Sequence, residues 1–110
     1  MDQKIEQAPE IEELSIVLRM FAEGRNWRSF HTPKNLSMAL AGEAGELLEH
    51  FQWLSEEESD SLSWQQAKDV SFEIADIMIY LIMLADRLDI DLMEVCRQKI
   101  KLNAQKYPAS

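Results

Sequence analysis

Ile11, Leu14, Leu18 and Phe21 recur three or four residues apart, the spacing that lines one face of a helix. This pattern predicts a first helix over about residues 9–27. Pro9 suits a first-turn position, Glu10, Glu12 and Glu13 sit at the positive helix end, and Gly24 marks the fraying end. Thr32 then Pro33 reads as N-cap and N1 of a second helix over about residues 33–53, with Leu36, Leu40, Leu47 and Phe51 as core positions. The acidic, Ser-rich tract from Ser55 to Ser61 is expected to be a loop. Ser63 with Gln66, and Asp91 with Glu94, are capping-box patterns. They open a third helix to about residue 88 and a fourth that stops near Tyr107 and Pro108. No stretch alternates strictly between apolar and polar, so the fold class is all-α, and short connections favour an antiparallel four-helix bundle.

One segment breaks the amphipathic rule. In VSFEIADIMIYLIMLA (70–85) every residue from Ile74 to Ala85 except Asp76 is apolar or aromatic, so this helix is expected to be buried on nearly all sides. Glu73 and Asp76 then need compensation, because a lone ionised carboxylate in a core costs several kcal/mol or takes up a proton.

Composition bounds the answer further. A chain of 110 residues, 46% hydrophobic and with three glycines and three prolines, makes one domain over 1–110 with a single modest core. Its net charge of −9 repels nucleic acid and anionic membranes, so a phosphate-bearing small molecule could bind only where metal ions or placed Lys and Arg reverse the local sign. Cys96 stands alone, which excludes an intrachain disulfide and suits a core position in a reducing cytoplasm. The stretch MDQKIEQAPEIEE lacks an apolar h-region, and the run 74–85 is too short to span a bilayer, so a cytoplasmic location without membrane association is expected.

The third helix carries Glu73 and Asp76 three residues apart, and the second carries Glu43 and Glu46 at the same spacing. Each pair can aim two carboxylates at one spot, and two facing helices about 8–10 Å apart would gather all four. Unneutralised, two unit charges 4 Å apart repel by about 4 kcal/mol at an effective dielectric near 20. Divalent cations remove that cost, and an all-oxygen donor set suits Mg²⁺, or Mn²⁺, over zinc. Gly42 and Gly45 flank Glu43, where mid-helix glycine is unfavourable unless something approaches closely. Di-iron bundles use Glu-x-x-His, and neither His31 nor His50 has a Glu three residues before it.

Hard cations over a carboxylate cluster suit polyphosphate binding and activation of water. Lys99, Asn103 and Lys106 share one face of the fourth helix and could hold phosphates, although such a stripe is more often simply solvated. Trp27, Phe30, His31 and Trp53 flank the second helix, and Tyr80 follows Asp76 by one turn. These rings could stack on a base at about 1–3 kcal/mol each, although single rings are more often core. His50, one turn after Glu46, could support that carboxylate.

GEAGELLEHFQW (42–53), EIADIMIYL (73–81) and KIKLNAQKYP (99–108), with RNWRSFHTPKNLSMAL (25–40), resemble the MazG-like all-α nucleoside triphosphate pyrophosphohydrolases, specifically the compact branch that includes dCTP pyrophosphatase. The resemblance covers about residues 10–108. It implies hydrolysis of a nucleoside triphosphate, dCTP or a related dNTP, to monophosphate and pyrophosphate for nucleotide-pool clean-up, with Glu43, Glu46, Glu73 and Asp76 holding Mg²⁺ and one of them acting as base. It further implies phosphate contacts from Lys99, Asn103 and Lys106, and a nucleotide pocket drawn from Trp27, His31, Asn35, Trp53 and Tyr80. Many members begin the first motif with a Glu pair, whereas Gly42 precedes Glu43 here, which favours the dCTP-type branch. The family usually builds its sites between subunits, which implies a homo-oligomer, a tetramer ahead of a dimer. Two other readings compete: a non-catalytic helical oligomerisation or interaction module, and a phosphoribosyl-ATP pyrophosphohydrolase.

Overall fold

A computed structural model describes residues 9–109. Four long helices and one short helical turn follow in order: α1 (Pro9–Gly24), α2 (Pro33–Glu49), α3 (Glu56–Ser59), α4 (Trp64–Arg87) and α5 (Leu92–Lys106). No strand occurs among the described residues, so the all-α expectation holds.

The caps legible in the sequence form as expected, with one partial exception. Thr32 accepts from the Asn35 amide, and Ser63 and Gln66 exchange both bonds of a capping box. Asp91 accepts from the Glu94 amide, but Glu94 turns its carboxylate toward Arg97, 3.5 Å away, so only half of that box forms. The tract 55–61, expected as a loop, winds into α3 because Ser55 and Glu58 make a full capping box of their own.

Two helices stop in a way the sequence did not advertise. α1 ends three residues before the expected Trp27 because Asn26 turns left-handed at φ 55°. Trp27 N–H then reaches back to the Ala22 carbonyl at 2.9 Å and Asn26 N–H to Glu23 at 3.1 Å, a Schellman closure. α4 ends the same way, with Asp89 at φ 54° and Ile90 N–H on the Ala85 carbonyl at 2.9 Å. Gly24, expected to mark the fraying end, is the last helical residue of α1. α2 ends at Glu49 with His50 as its C-cap, and successive turns carry the chain past Trp53.

α1 and α2 both pack on α4. Leu36 shares a cavity wall with Met83 and Asp86, and one to two turns later Glu43 meets Glu73 and Asp76, so α2 and α4 run antiparallel. Arg19 of α1 bonds Asp86 of α4 at 2.8 Å, and Phe21 and Ala22 share a cavity wall with Asp76 and Tyr80, so α1 lies against the same helix. The fully buried side chains Leu36 and Ile82 mark the middle of this three-helix layer, and Ile11, Ala22, Val70 and Ala85 complete its core.

α4 is not buried on all sides within one chain, contrary to expectation. Ile74 is 53% and Met78 44% exposed, and Leu81 and Phe72 are also open to solvent. Only one face of this helix is covered by α1 and α2. α5 buries no residue, so Cys96, expected in a core, is exposed. A radius of gyration of 17.0 Å, against about 13 Å for a compact domain of this length, fits that open layout. Among the described residues nothing comes within 4 Å of where a Cβ would sit at Gly42 or Gly45, so the close contact expected at both is absent there. Among the described residues no helix is long and apolar enough to cross a membrane.

Candidate active site

The antiparallel register of α2 and α4 brings Glu43, Glu73 and Asp76 together, with one carboxylate oxygen of each lying within 4.8 Å of the others. Glu43 and Glu73 are half-buried and Asp76 is exposed, so the group opens outward at Asp76. One oxygen each of Glu43 and Glu73 is buried with no hydrogen-bond partner. Two carboxylates that face each other are both acceptors and can share only a proton or a cation.

The strain appears as a raised pKa. Glu43 is pushed from its ordinary 4.5 to about 7, first by contact with the Glu73 carboxylate, then by burial, then by the Glu46 carboxylate and the charges of Glu46 and Asp76. Glu46, expected as the fourth ligand, is therefore next to Glu43 yet exposed and outside the tight group of three. The donor set fits a hard divalent cation: oxygen atoms only, two of them buried and unsatisfied, with excess negative charge. These residues form an acidic cluster that could hold a metal ion.

The carboxylates border a cavity of about 290 Å³, near the roughly 300 Å³ of the smaller ligand pockets. Trp27, His31 and Tyr80 line it together with Glu43 and Asp76, as expected, and Leu18, Phe21 and Met83 add apolar wall. Trp27 and His31 are tilted neighbours with ring centroids 5.9 Å apart, and Phe21 meets Trp27 edge-on at 5.6 Å. The Schellman closure of α1 aims Trp27 here, because its amide is pinned to Ala22 in the cavity wall. Phe21, Leu18 and Met83 were not foreseen as site residues. Helical spacing marks Leu18 and Phe21 as core, Met83 lies in the apolar run 74–85, and only the three-helix packing leaves a gap beside them.

Several expected residues lie elsewhere. Asn35 gives its side-chain amide to the Phe30 carbonyl at 2.8 Å, tying the 25–32 loop to α2, and it does not line the cavity. Trp53 is 86% exposed and apart from it. Lys99, Asn103 and Lys106 are exposed on α5 and do not reach the cavity. Lys106 instead sits over the Tyr107 ring at 5.3 Å. His50 caps α2.

The sequence profile of the MazG-like family matches residues 39–110, which include both carboxylate pairs. The chain belongs to the MazG-like family. It is 40% identical over 102 residues to dCTP pyrophosphatase 1 of Rattus norvegicus, covering 91% of this chain and 60% of that protein. It is 38% identical over 103 residues to dCTP pyrophosphatase 1 of Homo sapiens, covering 92% and 61%. The chain thus spans about three fifths of the length of these relatives. A solved pyrophosphatase from Archaeoglobus fulgidus superposes with a TM-score of 0.86 at 39% identity, covering 96% of this chain and 98% of that one. The MazG-like fold described here is therefore shared along nearly the whole chain.

Proposed function

We propose that this chain hydrolyses a nucleoside triphosphate, dCTP or a related dNTP, to the monophosphate and pyrophosphate, as a cytoplasmic enzyme that cleans the nucleotide pool. The observation that carries the reading is the junction of a three-carboxylate cluster with an aromatic-walled cavity. The names of the similar proteins, dCTP pyrophosphatases and a pyrophosphatase, support it.

Glu43, Glu73 and Asp76, with Glu46 beside them, would hold Mg²⁺, or Mn²⁺, which when bound neutralises carboxylates and phosphate oxygens alike and makes water more acidic. The residues of the chain divide the remaining work. Trp27 presents a ring face to the base, and His31 and Tyr80 offer polar atoms beside the carboxylates of Glu43 and Asp76. One carboxylate of the cluster takes the proton of the water that attacks the α-phosphorus, and the bond to the bridging oxygen breaks to release pyrophosphate.

Among the described residues no lysine or arginine lines the cavity. Lys99, Asn103, Lys106 and the exposed Trp53 would therefore act on the site of another copy, in a homo-oligomer, a tetramer ahead of a dimer, whose contacts complete the four-helix bundle. The open faces of α4 and α5 support this assembly. The domain we assign runs over 1–110, of which residues 1–8 and 110 lie outside the described structure.

The test is incubation of purified protein with each common NTP and dNTP, with Mg²⁺ or with EDTA, reading pyrophosphate and monophosphate. Release that disappears with EDTA, with dCTP near the top, is expected. No release from any nucleotide would overturn the reading.

A further inference from the structure

The aromatic wall of the cavity has an outer support. Arg25 closes α1 and lays its guanidinium over the Phe21 ring, 3.4 Å from the centroid, while its Nη1 donates to the Phe21 carbonyl at 3.1 Å. The same group lies 5.9 Å from the Trp27 centroid. Arg25, Phe21, Trp27 and His31 thus form one continuous chain of contacts, edge-on between Phe21 and Trp27 and tilted between Trp27 and His31, with the last three lining the cavity. Phe21 is 46% and Trp27 43% exposed, so packing alone leaves both rings with room to turn. A guanidinium is suited to hold them. Its plane matches a ring face, its charge is attracted to that face, and at a helix C-terminus it also complements the helix dipole.

We infer that Arg25 is a positioning residue for nucleobase binding: it fixes Phe21 and, through it, Trp27 in the orientation that receives a base, without touching the phosphates. This rests on the nucleotide reading above, in which the base lies against Trp27. A wall held in place before binding loses less freedom on binding, so its loss weakens base affinity and spares the chemical step.

Steady-state hydrolysis of dCTP by the wild type, R25A, R25K and R25Q tests this, with inorganic pyrophosphate as an inhibitor that has phosphates but no base. In R25A, KM is expected to rise about fivefold with kcat unchanged and the inhibition constant for pyrophosphate unchanged. R25K, which keeps the cation over the ring, recovers much of the affinity. R25Q keeps a donor for the Phe21 carbonyl without the charge, behaves like R25A, and serves if R25A does not fold. An unchanged KM in R25A and R25Q overturns the inference while leaving the hydrolase reading intact. A joint rise of KM and the pyrophosphate constant also overturns it, by placing Arg25 on the phosphates. A wild type inactive on every nucleotide overturns both readings at once.

Discussion

Glu43 on α2 and Glu73 on α4 face each other with one oxygen apiece buried and unpartnered, an arrangement of two acceptors with no donor between them. Within a protein that must fold, this pair is a cost unless something positive joins it. The consequence is a dependence of stability on pH that metal should remove. Because Glu43 titrates near 7 in the folded state and near 4.5 in the unfolded one, the native state binds the extra proton between those values. Metal-free protein is therefore expected to lose stability as pH rises from about 5 to above 7. Thermal melts in EDTA across that range, with wild type compared against Glu43→Gln, should show a slope in the wild type that is absent in the variant. Equal slopes would remove Glu43 as the cause.

Cation binding supplies the matching prediction. An ion that binds only the folded state at about 100 times its Kd stabilises by roughly 2.7 kcal/mol. Mg²⁺ should raise the melting temperature of the wild type by several degrees at pH 7.5 and leave the double variant Glu73→Gln, Asp76→Asn unmoved. The same variant should lose about a thousandfold or more in nucleotide hydrolysis, since removing a charge-stabilising group alone costs about 10²–10³ in rate.

Trp27 tests the cavity. If a base stacks on it at about 1–3 kcal/mol, Trp27→Ala should raise KM for dCTP by roughly five- to a hundredfold and Trp27→Phe by less. Trp64 sits outside the cavity, under Lys68 at 5.1 Å, so Trp64→Ala should leave KM unchanged.

Most of this architecture is legible in the sequence because local chemistry decides it. Apolar periodicity, Pro33 after Thr32, and Ser63 with Gln66 each act within a few residues, and the helices they predict are present. The carboxylate cluster is legible for the same reason: residues three apart on two helices converge once the helices face each other. What the sequence hides is non-local or unmarked. The left-handed stops at Asn26 and Asp89 lack the glycine that usually signals them, so α1 reads as longer than it is. Burial of α4 was overestimated because an all-apolar run records the need for cover without saying which chain provides it. Asn35 donates its side-chain amide to the Phe30 carbonyl, a local contact that motif spacing alone does not reveal.

Asp89 gives a stability test of that hidden stop. A residue with a Cβ held at φ 54° carries a left-handed cost of about 1–2 kcal/mol, which Asp relieves only in part through its short polar side chain. Asp89→Gly should stabilise by several tenths of a kcal/mol or more in urea unfolding, and Asp89→Val should destabilise by about 1 kcal/mol or more. Opposite signs would mean that the turn after α4 is held by something other than its backbone.

The assembly proposal has a test that needs no new structure. Lys99 and Asn103 lie on α5, none of whose residues is buried, while Glu73 lies in the cluster on α4. If α5 of one copy serves the cavity of another, a Lys99→Ala, Asn103→Ala chain keeps intact carboxylates, and a Glu73→Gln chain keeps an intact α5. Each alone should be nearly inactive. Unfolded together and refolded as mixed oligomers, they should regain a fraction of wild-type activity, because some sites then receive carboxylates from one chain and α5 from the other. For a dimer with two sites, random mixing of equal amounts makes half the molecules mixed, and each carries one complete site. About a quarter of wild-type activity is expected. Sedimentation on the same samples must show a multiple of the 12.8 kDa chain. Recovery without self-association, or self-association without recovery, would refute sites shared between copies.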